Sequence, residues 1–117
     1  MEEWAFEFEW LKVRHTVKAL FNKKDLPDLN AILFLIGIQE LGFVKKAFTK
    51  EEKQDLMHLA VCTLLSQDGY YEFKGRDQDN WPHFEKSRLL KLEGVEAQEH
   101  YLKTKVIEYF NLLEEEE

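Results

Sequence analysis

One cysteine, two prolines and five glycines are few for a chain of 117 residues. A single thiol, Cys62, excludes an intramolecular disulfide, a CxxC redox motif and a multi-cysteine zinc site. Long apolar runs are missing as well. The longest, Ala31 to Ile38 with Gly37 inside it, is eight residues, far below the roughly 20 needed for a helix to cross a bilayer. Positive charge is in short supply: 16 Lys and Arg stand against 23 Asp and Glu, a net charge of −7. Nucleic-acid binding needs a concentrated basic surface, and the cluster Lys12, Arg14, Lys18, Lys23 and Lys24 has the spacing of a solvated helix face. The opening residues Met1-Glu-Glu-Trp4 are acidic where a secretory signal is basic. The expectation is a cytoplasmic, reduced protein with no membrane and no nucleic-acid partner.

Hydrophobic residues make up 44% of the chain and charged residues 33%. That is enough apolar material for one core without metal or disulfides. Nine Phe, three Trp and four Tyr point to aromatic packing in it. No internal repeat and no linker interrupts the sequence, so a single domain over residues 1–117 is expected.

The few prolines and glycines act as punctuation. Phe6, Trp10, Val13, Val17 and Leu20 recur at steps of four, three, four and three, the stripe of an amphipathic helix. Trp4, Phe6, Phe8 and Trp10 also alternate, as a strand would, but the helical period continues to Phe21 and helix is the expected state. Pro27 ends this segment, and Asp28 can cap a second helix from Leu29 to about Leu41, closed by Gly42. That helix is apolar nearly all round and should be the central element. A buried strand from Ile32 to Ile38 is the alternative. Thr49-Lys-Glu-Glu52 is a capping box, and the helix it opens carries Leu56, Met57, Leu59, Ala60, Val61, Leu64 and Leu65. On the opposite side of the wheel lie Glu51, Asp55, His58 and Cys62. After Gly94, a last helix should align Val95, Leu102, Val106, Tyr109, Phe110 and Leu113. The fold class is mainly α: a bundle of four to five helices with a long irregular connection, or a short hairpin, at about 66–83.

That connection, Ser66 to Glu85, holds five aromatics, two glycines, a proline and a histidine. Connections this long in small domains are uncommon and tend to carry function. Tyr70 to Phe73 could pair as a short strand around a turn at Arg76 to Asn80, and Pro82 could open a short helix. Asp77-Gln-Asp79 begins like a calcium loop, but Pro82 stands where an EF-hand needs glycine and Arg88 where it needs glutamate. Gly69 and Gly75 lack the Lys-Ser or Lys-Thr pair of a phosphate loop. Two readings survive. In one, the aromatics form a lid on the helices. In the other, Tyr70, Tyr71, Arg76, Asp77, Asp79, Trp81 and His83 form a polar, aromatic-walled ligand pocket.

Metal is weighed on two pairs. Asp55 and His58 sit three apart and Glu96 and His100 four apart, whereas di-iron bundles use Glu-x-x-His twice with two further glutamates. A nucleophilic Cys62 with His58 one turn away is within reach, but a buried inert cysteine is the simpler reading. No metal, no cofactor and no catalytic residue is expected.

The segments Leu33-Phe-Leu-Ile-Gly-Ile-Gln-Glu-Leu-Gly42, Thr49-Lys-Glu-Glu-Lys-Gln-Asp-Leu-Met-His58 and Gly75-Arg-Asp-Gln-Asp-Asn-Trp-Pro-His83 resemble a family of short bacterial proteins of unknown function. The resemblance implies a bacterial, intracellular protein and carries over no site residues. The expected function is a non-enzymatic interaction module whose partner is itself, as a homo-oligomer, or another protein, because a small fold has few elements with which to surround an all-apolar helix. The rivals are a ligand-binding protein or enzyme using residues 66–85, and a metal-binding bundle.

Overall fold

The capping box at Thr49 forms as its sequence dictates. The Thr49 hydroxyl accepts from the Glu52 backbone N–H at 3.1 Å, and the Glu52 carboxylate accepts from the Thr49 N–H at 3.0 Å. The computed structural model describes residues 2–43 and 47–115. Four helices, α1 (Glu3–Leu20), α2 (Leu29–Leu41), α3 (Lys50–Ser66) and α4 (Val95–Glu115), are joined by one antiparallel pair, β1 (Tyr71–Arg76) and β2 (Pro82–Lys86). The mainly helical class holds, and the 66–83 connection takes its hairpin form. Pro82 opens a strand rather than a short helix. Its missing N–H costs nothing at the first residue of an edge strand.

Contacts within the chain divide it into two compact units, one running to Ile32 and resuming at Leu92, the other spanning Leu33 to Lys91. In the first, α1 and α4 pack together. Phe6, Trp10, Val13 and Val17 are buried, as are Val106, Ile107, Tyr109 and Phe110. Leu20 and Val95, expected on these stripes, are 66% and 78% exposed. Leu20 is the last residue of α1 and Val95 the first of α4. Asn22, with φ of 52°, ends α1, and the Arg14 Nε donates to the Pro27 carbonyl at 2.8 Å. Asp28 caps α2 through the Ala31 N–H at 2.9 Å.

The alternation of Trp4, Phe6, Phe8 and Trp10 resolves into two helical stripes on α1. Phe6 and Trp10 belong to the buried stripe. Trp4, Phe8 and Leu11 form a second one, on the outside.

In the second unit, α2 crosses α3 at very short range. A β-carbon built on Gly37 would lie 2.1 Å from the Leu56 carbonyl oxygen, so hydrogen is the only side chain that fits. Leu41, Leu56 and Leu59 form the buried centre here, with Phe34, Ile38, Phe48, Trp81 and Phe84 packed around it. Ile32, Leu33, Leu35, Ile36 and Leu41 of α2 are all buried within the chain. Gly42, at φ of 88°, closes α2 through its N–H to the Ile38 carbonyl.

In the hairpin, Tyr71 faces Lys86, Phe73 faces Phe84 and Arg76 faces Pro82, with a bulge between Phe73 and Gly75. Gly75 supplies the positive φ of 108° that the bulge requires. No helix among the described residues is long and apolar enough to cross a membrane.

Candidate functional site

Asp77 organises the turn between the strands. Its Oδ1 accepts from the N–H groups of Asp79 at 2.9 Å and Trp81 at 3.0 Å, and its backbone closes the loop with Asn80 and Trp81. Its Oδ2 lies 2.7 Å from His83 Nε2. These bonds favour the ionised carboxylate, the one to His83 most of all, and hold Asp77 below the usual carboxylate range. Asp77 thus fixes both the turn and the tilt of the imidazole.

Arg76 points the other way. Its guanidinium donates to the Glu40 carbonyl at 2.8 Å, the Leu41 carbonyl at 2.9 Å and the Asn80 carbonyl at 2.8 Å. The first two belong to the last turn of α2, whose carbonyls have no helical partner and carry partial negative charge. Arg76 therefore ties the hairpin to the end of α2. It also lines a shallow depression with Glu40, Thr63, Ser66 and Phe73.

The remaining candidates separate. The Tyr70 ring lies under the Arg88 guanidinium, 4.4 Å from centroid to carbon, and the Tyr70 carbonyl accepts from the Ser87 N–H. Tyr71 meets His58 edge to face at 6.5 Å. Burial, and beyond it the nearby Cys62, push the Tyr71 hydroxyl pKa up. Asp79 is exposed in the turn.

Trp81 and His83 alone among the seven line a cleft of about 250 Å³, together with Asp55, His58, Leu59, Cys62, Pro82 and Phe84. Helix α3 supplies one wall through residues spaced three and four apart, and β2 supplies the other. The hairpin packs against the polar face of α3, opposite its leucines, where Cys62 is buried, as its residue type leads one to expect, while His58 stays exposed. No local pattern in residues 50–65 announces this cover. The signal that could have found it is the combination of a polar face with a cysteine and an aromatic hairpin long enough to fold back.

The cleft does not contain a nucleophilic triad. Cys62 Sγ lies 3.5 Å from His58 Nε2, and His83 is bound to Asp77, so no imidazole connects thiol to carboxylate. Burial pushes the Cys62 thiol up to about 11, which keeps it protonated through neutral pH. Among the described residues no group of three or more His, Cys, Asp and Glu is arranged to hold a metal ion. The second expected pair is otherwise engaged at His100, whose ring stacks on Phe6 at 4.0 Å. What the cleft can do is stack a small flat molecule on Trp81 and bond it to imidazole.

A different surface stands out on α1. Trp4, Phe8 and Leu11 are 71%, 62% and 43% exposed and follow one another at steps of four and three along one side of the helix. Phe8 and Leu11 line a shallow groove with Lys12, His15 and Thr16. Scattered exposed apolar residues are ordinary, but an aligned series on one helix face is the form a docking surface takes. Comparison of the chain with protein-family models, with curated proteins and with solved structures finds no match.

Proposed function

We propose that this protein is a non-enzymatic interaction module that self-associates, and that the outer stripe of α1 is the surface it uses. The observation that supports this is the exposed row Trp4, Phe8 and Leu11. It lies on the helix whose opposite face is already packed by Phe6, Trp10, Val13 and Val17. Covering a large apolar side chain contributes about 1.5–3 kcal/mol when it begins fully exposed, and these begin partly covered. Six such side chains across a symmetric contact offset an association cost of about 4–15 kcal/mol only narrowly, so the complex is weak and concentration-dependent.

Sedimentation or light scattering over a wide concentration range tests it. The wild type is expected to pass from monomer to dimer as concentration rises. Phe8→Glu is expected to remain monomeric and, at concentrations where both proteins are monomers, to melt at the wild-type temperature, since the Phe8 side chain lies outside the core. A wild type that stays strictly monomeric, or a Phe8→Glu variant that dimerises as well as the wild type, removes the reading.

A second reading, a small-ligand protein, draws on the cleft that joins Trp81 and His83 to Asp55, His58 and Cys62. Its volume lies just below the usual range of about 300–1,000 Å³ for ligand pockets, which limits the occupant to a small molecule. A thermal-shift panel of small carboxylates and inorganic phosphate, run on the wild type and on His83→Ala, distinguishes the outcomes. A compound that raises Tm only in the wild type supports this reading, and a flat panel counts against it.

A further inference from the structure

We infer that the partner of the α1 stripe is the α1 helix of a second copy of this chain, lying antiparallel across a two-fold axis between Phe8 and Leu11. This rests on the self-association proposed above and specifies its geometry.

The first ground is the period of the seam. Trp4, Phe8, Leu11 and His15 are spaced by four, three and four residues, the a/d spacing of a helix that packs along another helix. In an antiparallel pair, each a position meets a d position. Phe8 then lies opposite the partner's Leu11, and the Trp4 ring, whose N–H already donates to the Glu2 carboxylate at 2.6 Å, lies opposite the partner's His15. The layers are complementary in size: two large rings sit outside, and a ring against a leucine sits on each side of the axis.

The second ground is charge. All the acidic residues of this segment, Glu2, Glu3, Glu7 and Glu9, precede Trp10, and all its basic residues, Lys12, Arg14 and Lys18, follow Leu11. Acidic first turns and basic last turns suit the helix macrodipole, but that effect is spent within one turn of each end. Glu7, Glu9, Lys12 and Arg14 lie in the middle of the helix. A parallel pair would set four carboxylates beside four. An antiparallel pair sets each acidic half beside a basic half, twice over by symmetry. With the stripe at a and d, Glu7 and Arg14 occupy g positions, which flank the seam and meet each other across an antiparallel contact. Among the described residues neither Glu7 nor Lys12 has an ion pair within the chain. The Nε of Arg14 is engaged by the Pro27 carbonyl, which steadies the side chain and leaves its two terminal nitrogens for the partner's Glu7.

Pulsed electron spin resonance on spin-labelled full-length protein reads the arrangement directly. Single cysteines are placed at Lys12 or Ala19, both exposed, in a Cys62→Ala background. In the antiparallel register, residue pairs facing each other sum to 19. Labels at position 12 then lie about 8 Å apart along the axis, and labels at position 19 about 28 Å apart, at 1.5 Å per residue. A parallel dimer instead gives about 10 Å, the interhelical distance, at both sites. Short at 12 and long at 19 supports the inference. Short at both overturns the antiparallel geometry and leaves self-association standing. Absence of any dimer up to about 1 mM, where a contact would be worth only about 4 kcal/mol, overturns both. Glu7→Arg, which faces the partner's Arg14 with a like charge, is expected to weaken the dimer about tenfold at low salt, and an unchanged affinity counts against the charge argument.

Discussion

Replacing Gly37 by alanine is expected to destabilise the protein by about 3 kcal/mol or more, read as a fall in the urea midpoint at unchanged slope. The sign is opposite to what the local sequence suggests. Alanine in a helix interior is favoured over glycine by about 1 kcal/mol, so Gly37→Ala would stabilise an isolated α2. In the folded chain the new β-carbon would lie 2.1 Å from the Leu56 carbonyl oxygen, 2.7 Å from its carbonyl carbon and 3.0 Å from its β-carbon. Two of these three are backbone atoms of α3 and cannot rotate away. Relief requires the two helices to separate, and separation opens the contact around Leu41, Leu56 and Leu59, all of them buried. The cost of that opening exceeds the gain in helix propensity several-fold. A variant as stable as the wild type would mean that the helices do not cross at this residue.

The second large effect is expected at Arg76. Removing its side chain in Arg76→Ala takes donors from the carbonyls of Glu40, Leu41 and Asn80 together. Bonds from a charged donor contribute about 1.5–3 kcal/mol each when shielded, and the exposure of this side chain brings the total down to about 2 kcal/mol. The loss should fall on the hairpin more than on the helices. Amide exchange in residues 71–86 is expected to accelerate more than exchange in α3. Arg76→Lys should recover less than half, because an ammonium is a single compact donor and cannot span two helix carbonyls and the turn at once. Full recovery by lysine would show that charge at the end of α2, not the forked geometry, is what matters.

Both residues illustrate how unevenly the sequence discloses its structure. The helix boundaries at Asp28, Gly42 and Thr49 were legible because each depends on a hydrogen bond or a dihedral within a few residues of itself. The inward face of α1 was legible for the same reason, since Phe6, Trp10, Val13 and Val17 share a period that the helix alone imposes. Val95 and Leu20 depart from the pattern because a stripe says which residues share a face and not how far along the helix that face is covered. Gly37 looked like an interruption in an apolar run. Its role depends on Leu56, nineteen positions away, and no local pattern encodes that approach.

The candidate site shows the same limit. Tyr70, Tyr71, Arg76, Asp77, Asp79, Trp81 and His83 form a group in sequence only because they are neighbours along the chain. A strand sends successive side chains to opposite faces, so a hairpin disperses such a group. Arg76 reaches the end of α2, Tyr70 goes under Arg88, and His83 and Trp81 turn toward α3. The residues that join them there, Asp55, His58 and Cys62, come from α3; a buried Cys62 is expected from its residue type, but nothing near it in sequence says that the hairpin is its cover.

The sequence by itself determined the mainly helical class, the helix boundaries at Asp28, Gly42 and Thr49, the hairpin as one option for residues 66–83, and the absence of an intramolecular disulfide or a CxxC motif. All of these follow from interactions between residues close along the chain, or from residue types that are missing. Only the tertiary structure decided that Gly37 must have no side chain, that Arg76 serves the end of α2, that the hairpin is what covers Cys62, and that Trp4, Phe8 and Leu11 of α1 stay exposed. Each of these depends on which surfaces meet across long stretches of chain, and that is settled by packing.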